Sequence, residues 1–145
     1  MSINLERYKR NNFSEDCHEF QNISRELINF DNVRKDLWAQ LRSVDAYDEA
    51  KKTLIEIIDI THYSSSLSIN ELFTEMRQKI FESLVLLINE DHIKIDFNNR
   101  EKYYFKFKLV FCHGEKEDIK AYEHLRLKID SILRPFGYAF ISLDL

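Results

Sequence analysis

The sequence predicts an α+β fold: a helical layer of three to four helices over about residues 14–90, packed on a small C-terminal β-β-α-β sheet. Two observations carry this expectation. Apolar residues recur every three or four positions up to about residue 91 and then alternate every second position, a switch from helical to strand periodicity. No Pro-, Gly- or Ser-rich linker divides the halves at that point, so residues 1–145 read as one domain, helical over about 1–91 and β-β-α-β over about 92–145.

In the first part, Phe13, Cys17, Phe20, Ile23, Leu27 and Phe30, then Val33, Leu37, Leu41 and Val44, form a helical stripe. Ser14 suits the N-cap, and Asp31 or Asn32 restarts a second helix unless 14–44 is one bent helix. Asp45 is read as the cap of a third helix carrying Tyr47, Ala50, Leu54, Ile57 and Ile58. After the break at Ser64-Ser65-Ser66, Ser68-Ile69-Asn70-Glu71 matches the S-x-x-E capping box, in which serine and glutamate satisfy exposed backbone donors reciprocally. The helix that follows is apolar on nearly all sides in its last turns and is expected at the centre of the core.

Beyond Asp91, Ile93, Ile95 and Phe97 alternate with Lys94 and Asp96. Tyr103, Phe105, Phe107, Leu109 and Phe111 alternate with Tyr104, Lys106, Lys108 and Val110. Two amphipathic strands joined by a polar hairpin at Asn98–Glu101 are expected. A helix over about 115–133 ends at Arg134-Pro135-Phe136-Gly137, and YAFISLDL closes the chain as a strand.

Composition narrows the function classes. Two Gly in 145 residues, where about ten are usual, disfavour phosphate-cradling loops and nucleophile elbows, and no motif of either kind is present. The start has no apolar run of signal-peptide length and the longest apolar run, Leu84–Ile88, is too short to cross a bilayer, so a cytoplasmic protein with reduced thiols and no membrane contact is expected. Residues 1–92 carry 11 Lys/Arg against 17 Asp/Glu, and residues 93–145 carry 10 against 8. That acidic first part disfavours a broad nucleic-acid footprint and suits docking on a basic partner.

The pairs Cys17-His18 and Cys112-His113 offer one convenient ligand each, because neighbours diverge on helix and strand alike; no metal and no cofactor are expected. Cys112 as a nucleophile would stand beside Glu115, Glu117 and Asp118, which oppose a thiolate. His113, with His92 or His124, remains the candidate for metal-independent RNA cleavage, since imidazole titrates in the useful range.

The leading expectation is a non-enzymatic protein-binding module, an immunity, inhibitor or antitoxin protein facing a basic nuclease toxin. Its contact surface would be acidic and helical: Glu15, Asp16, Glu19, Asp36, Asp45, Asp48 and Glu49, with Trp38 and Tyr47 as aromatic anchors. The alternative binding reading places RNA or single-stranded DNA on Tyr104, Lys106 and Lys108 of the Lys/aromatic strand 102–111.

Overall fold

A computed structural model of the chain describes residues 4–12, 23, 25–37, 39–59, 69–99, 102–112, 120, 122–143 and 145. A 3-10 turn (Leu5–Tyr8) leads into β1 (Lys9–Arg10); then come β2 (Leu27–Asn29), α1 (Phe30–Asp36), β3 (Ala46–Asp48), β4 (Thr53–Asp59), α2 (Ile69–Asn89), β5 (Phe105–Cys112), α3 (Glu123–Leu133) and β6 (Gly137–Ser142). The six strands form one mixed sheet in chain order, antiparallel from β1 to β4 and parallel across β4, β5 and β6.

The expected helical layer on a small C-terminal sheet is therefore corrected. Four of the six strands lie in the N-terminal part, and helices sit between strands. Residues 45–58, read as a helix, are the β3–β4 hairpin. Tyr47, Leu54 and Ile58 belong to the large core while Ala46, Ile55 and Ile57 belong to a smaller cluster. A strand buried on both faces shows a near-continuous apolar run, which also fits a helical stripe. Asp45 accordingly caps no helix; its Oδ2 accepts from the Ile57 amide at 2.7 Å, just past the last β3–β4 pair.

A short helix does restart near Asp31, with Asn29 as its N-cap accepting from the Asn32 amide. Leu37, on the expected stripe, is 48% exposed. The part of that stripe from Phe13 to Phe20 and the capping serines Ser14 and Ser68 lie outside the described residues.

The second correction concerns 92–111. Residues 93–96 form no strand, and β5 pairs with β4 on one side and β6 on the other. With both of its edges occupied, no hairpin partner can add to it. Instead Asp91 takes a left-handed φ of 62° at the end of α2, the amides of His92 and Ile93 turn back to the Leu87 carbonyl, and Ile93 enters the core. The later elements match expectation more closely: α3 ends at Leu133, and β6 follows from Gly137.

The large core fills one sheet face. Leu72, Met76, Ile80 and Leu87 of α2 and Leu125, Ile129 and Leu133 of α3 meet Leu54, Ile58, Phe107, Leu109 and Phe111 there. Helix α2 is not central: Phe81, Val85 and Ile88 on its other side are 43–65% exposed. Gly137 is required where it stands, because a Cβ would lie 2.7 Å from the Phe105 carbonyl oxygen across the β5–β6 pair. The opposite sheet face carries the small cluster Leu27, Ala46, Ile55, Ile57 and Val110, against which Ile23 and Leu145 pack.

Candidate functional site

On that opposite face the parallel register aligns side chains in rows. Thr53, Lys106 and Tyr138 form one row, and Ile55, Lys108 and Phe140 the next. Side chains alternate along each strand, so the lysines of β5 stand between β4 and the aromatic rings of β6. Tyr138 packs on Phe140 at 6.1 Å between centroids and meets Tyr103 edge-on at 5.2 Å. Tyr103 is half exposed, and Lys106, Lys108, Tyr138 and Phe140 are each partly exposed. An aromatic ladder thus runs beside a lysine ladder.

A cavity of about 210 Å³ opens at this corner, lined by Arg25, Asp48, Lys51, Thr53, Ile55, Lys106, Lys108 and Phe140. A neighbouring cavity of about 350 Å³ shares Lys51 and Lys106 and adds Lys52 and Tyr103. The first sets four cations against one carboxylate in a chain whose formal charge is −4. That carboxylate is neutralised in place. Arg25 Nε donates to Asp48 Oδ2 at 2.6 Å, the Lys51 amide donates to Oδ1 at 3.1 Å, and Asp48 is 1% exposed. Among the described residues neither Lys51 nor Lys106 carries an ion pair.

A second polar cluster lies on the helical side. Glu56 points from β4 toward α2, where Lys79 Nζ donates to its Oε1 at 3.1 Å and also pairs with Glu75 at 3.4 Å. Glu56 is 4% exposed and Asp45, beside it, 8%. Burial first, and then the Glu56 charge, hold the Asp45 carboxyl well above the usual carboxylate range. Burial also raises Glu56, opposed by the Lys79 ammonium. Oε2 of Glu56 lacks a donor if both carboxyls are charged; a proton on Asp45 supplies one, which accounts for the orphan atom. Ser83 completes the cluster, donating to the Lys79 carbonyl and accepting from the Val44 amide. These groups line neither cavity above and tie α2 to the sheet.

The expected site residues fare unevenly. Tyr47, Asp45 and Asp48 are buried, so they present no acidic helical surface: alternate hairpin positions face the interior here on both sides of the sheet. Asp36 is exposed at the end of α1, where it adds to burial in raising the Tyr8 hydroxyl above its ordinary value. Glu49 sits in the β3–β4 turn with its Oε2 2.8 Å from His92 Nδ1. Glu15, Asp16, Glu19, Trp38 and His113 lie outside the described residues, as do Cys17 and His18.

Tyr104 does not stand with the lysines. It precedes β5, is 7% exposed, and its hydroxyl donates toward the Asp96 and Asn99 carbonyls. His92 and His124 are kept apart: the first lies by the turn before β4, the second opens α3 beyond the far end of β5, a strand of roughly 25 Å. Glu6, Glu49 and His92 bring ligand atoms within 4.8 Å of one another, but the Lys9 ammonium stands 2.8 Å from Glu6 and 3.8 Å from Glu49 and supplies positive charge there itself.

Arg25, Lys51, Tyr138 and Phe140 were missed as site residues. Their signal was the alternation in Tyr138–Ala139–Phe140, legible as a strand, but nothing local says which strand lies beside it. No protein-family model, curated protein or solved structure matches the chain. No helix among the described residues is long and apolar enough to cross a membrane.

Proposed function

We infer that the Lys106/Lys108 and Tyr138/Phe140 face binds single-stranded nucleic acid. The observation that carries this reading is the register: two lysines aligned with two aromatic rings on a partly open sheet face, beside a cavity with Arg25 and Lys51. Rings on a sheet stack bases whatever their identity, and flanking cations hold the backbone phosphates. The acidic balance of the whole chain does not oppose this, because the field at the corner is set by local groups within about a Debye length of 8–10 Å. No base-edge reader is assigned, so binding is expected to be tolerant of sequence and steep in salt.

Anisotropy of a fluorescein-labelled 12-nucleotide single strand, titrated at several salt concentrations, tests it. Binding that weakens with salt, falls further in Lys106→Glu with Lys108→Glu, and falls in Tyr138→Ala supports the reading. Absence of binding at low salt, or equal binding by the variants, overturns it. Of the carboxylates expected on an acidic docking surface, only Asp36 and Glu49 are partly or fully exposed among the described residues, so docking on a basic partner is the less supported reading.

A further inference from the structure

We propose that the outer face of α2 is a self-association surface, on which a second copy of this chain packs antiparallel about a two-fold axis at the level of Leu84 and Val85. The surface lies on the helical side of the sheet, apart from the lysine row, and does not depend on the nucleic-acid reading above.

The face combines a ridge and a groove. Phe81, Val85 and Ile88 recur at helical spacing along α2 and are 43–65% exposed. Beside them an apolar groove of about 220 Å³ is walled by Ile95, Phe97, Ile132 and Phe136, and every residue that lines it is apolar. Phe97 meets Phe136 edge-on at 5.1 Å between centroids and is itself 69% exposed. An apolar ridge standing in water beside an apolar recess is a surface that a partner completes.

Two features select a second copy as that partner. The first is shape. A two-fold axis brings the same patch of both chains together, so the patch must hold both the projection and the recess. Crossing the two α2 helices at an angle lays the Phe81 end of each over the groove beside the Ile88 end of the other, ridge into groove. The second feature is charge. Arg77, Leu84 and Asp91 follow one another at heptad spacing, which keeps them on one flank, and Asp91 lies in the turn that closes α2. Antiparallel packing about Leu84 therefore sets Arg77 of each copy against Asp91 of the other. Both are exposed, and among the described residues neither carries an ion pair; the Arg77 guanidinium lies over the Phe73 ring at 6.0 Å. Lys94 and Asp96, next along the chain, offset each other in sign.

The area is of the size a dimer needs. Phe81, Val85, Ile88 and Phe97 together leave on the order of 400 Å² of side chain in water. A standard interface covers about 800 Å² per partner, somewhat over half of it apolar. The partly buried Ile95, Ile132 and Phe136 and the polar rim at Arg77 and Asp91 close the difference.

Sedimentation equilibrium of the full chain over about 1–200 µM, a window spanning the dissociation constants of ordinary reversible dimers, tests this. A monomer–dimer equilibrium is expected. Val85→Glu sets like charges against each other at the two-fold axis and should weaken the dimer at least about tenfold. Val85 is 65% exposed, so the change stays out of the core, and thermal melting checks that the fold is kept. Arg77→Glu and Asp91→Lys should each weaken the dimer by roughly three- to tenfold. The double variant should recover the unaltered value, because both pairs return with their signs exchanged, a recovery that no folding defect produces. A chain that stays monomeric across the window overturns the proposal. So does a dimer indifferent to Val85→Glu, or a double variant weaker than either single one. A monomer that binds phosphatidylcholine vesicles, and loses them with Val85→Glu, assigns the face to a lipid surface and overturns it as well.

Discussion

Replacing Lys79 by methionine isolates what the buried ion pair contributes. Met keeps the length and most of the apolar stem of Lys79, so packing of α2 on the sheet is nearly conserved and the ammonium is the main loss. Glu56 is then left 4% exposed with Asp45 as its remaining partner. Removing one member of a buried pair typically costs about 3–5 kcal/mol. Here the Lys79 side chain is 19% exposed and already shares Glu75, so water reaches one side of the pair and a cost just below that range, about 2–3 kcal/mol, applies. For a domain of this size that corresponds to a fall in melting temperature of roughly 5–10 °C.

The pH dependence of the deficit separates charge from packing. Without Lys79, Glu56 loses the influence that opposes its burial, so its folded-state pKa rises further above the unfolded value. An acid raised on folding keeps its stability below the unfolded pKa and loses it as pH climbs toward the folded pKa. The Lys79→Met deficit, measured by urea unfolding, should therefore be large at pH 7 and shrink toward pH 4. Adding Glu56→Leu should restore most of the loss at pH 7, because no buried charge remains. A pH-independent deficit, or a double variant weaker than Lys79→Met alone, would refute this account and make Lys79 a packing residue.

Four shorter expectations follow from the same contacts. Asp45→Asn should match or exceed the unaltered chain at pH 7 in urea unfolding, since it copies the protonated carboxyl, whereas Asp45→Ala should lose about 1–3 kcal/mol by orphaning the Ile57 amide. The same raised Asp45 should make the stability of the unaltered chain decline as pH rises above the ordinary aspartate range, a slope that Asp45→Asn flattens. Ser83→Ala should cost about 1–2 kcal/mol by thermal melting, because the buried Val44 amide loses its acceptor. Gly137→Ala should cost about 1–3 kcal/mol, because its Cβ meets both the carbonyl oxygen and the buried ring of Phe105.

Local signals were legible where one face of an element meets water. The Phe105–Phe111 alternation and the stop at Arg134-Pro135 follow from that rule, while α2 forms where its periodicity placed it but stands at the edge of the core and not at its centre. Legibility failed where both faces are covered. In Thr53–Asp59, Leu54 and Ile58 look toward α2 while Ile55 and Ile57 look toward the small cluster, so the period of two is erased. Glu56 was the overlooked clue: a charged residue in an apolar run of β-branched residues demands a buried partner, and Lys79 is that partner.

The candidate site was harder to read for a different reason. The lysines were visible, but Tyr104, their sequence neighbour, leaves the strand before β5 begins and turns into the core. The rings that stand with Lys106 and Lys108 come from β6, about 30 residues on, and Arg25 comes from the other end of the chain. A parallel sheet places each strand beside a partner separated by a whole crossover, so what lines its open face is a property of topology. The same topology puts Asp48 where it can fix Arg25, turning an acid expected on an exposed helix into the buried counter-charge of a basic corner.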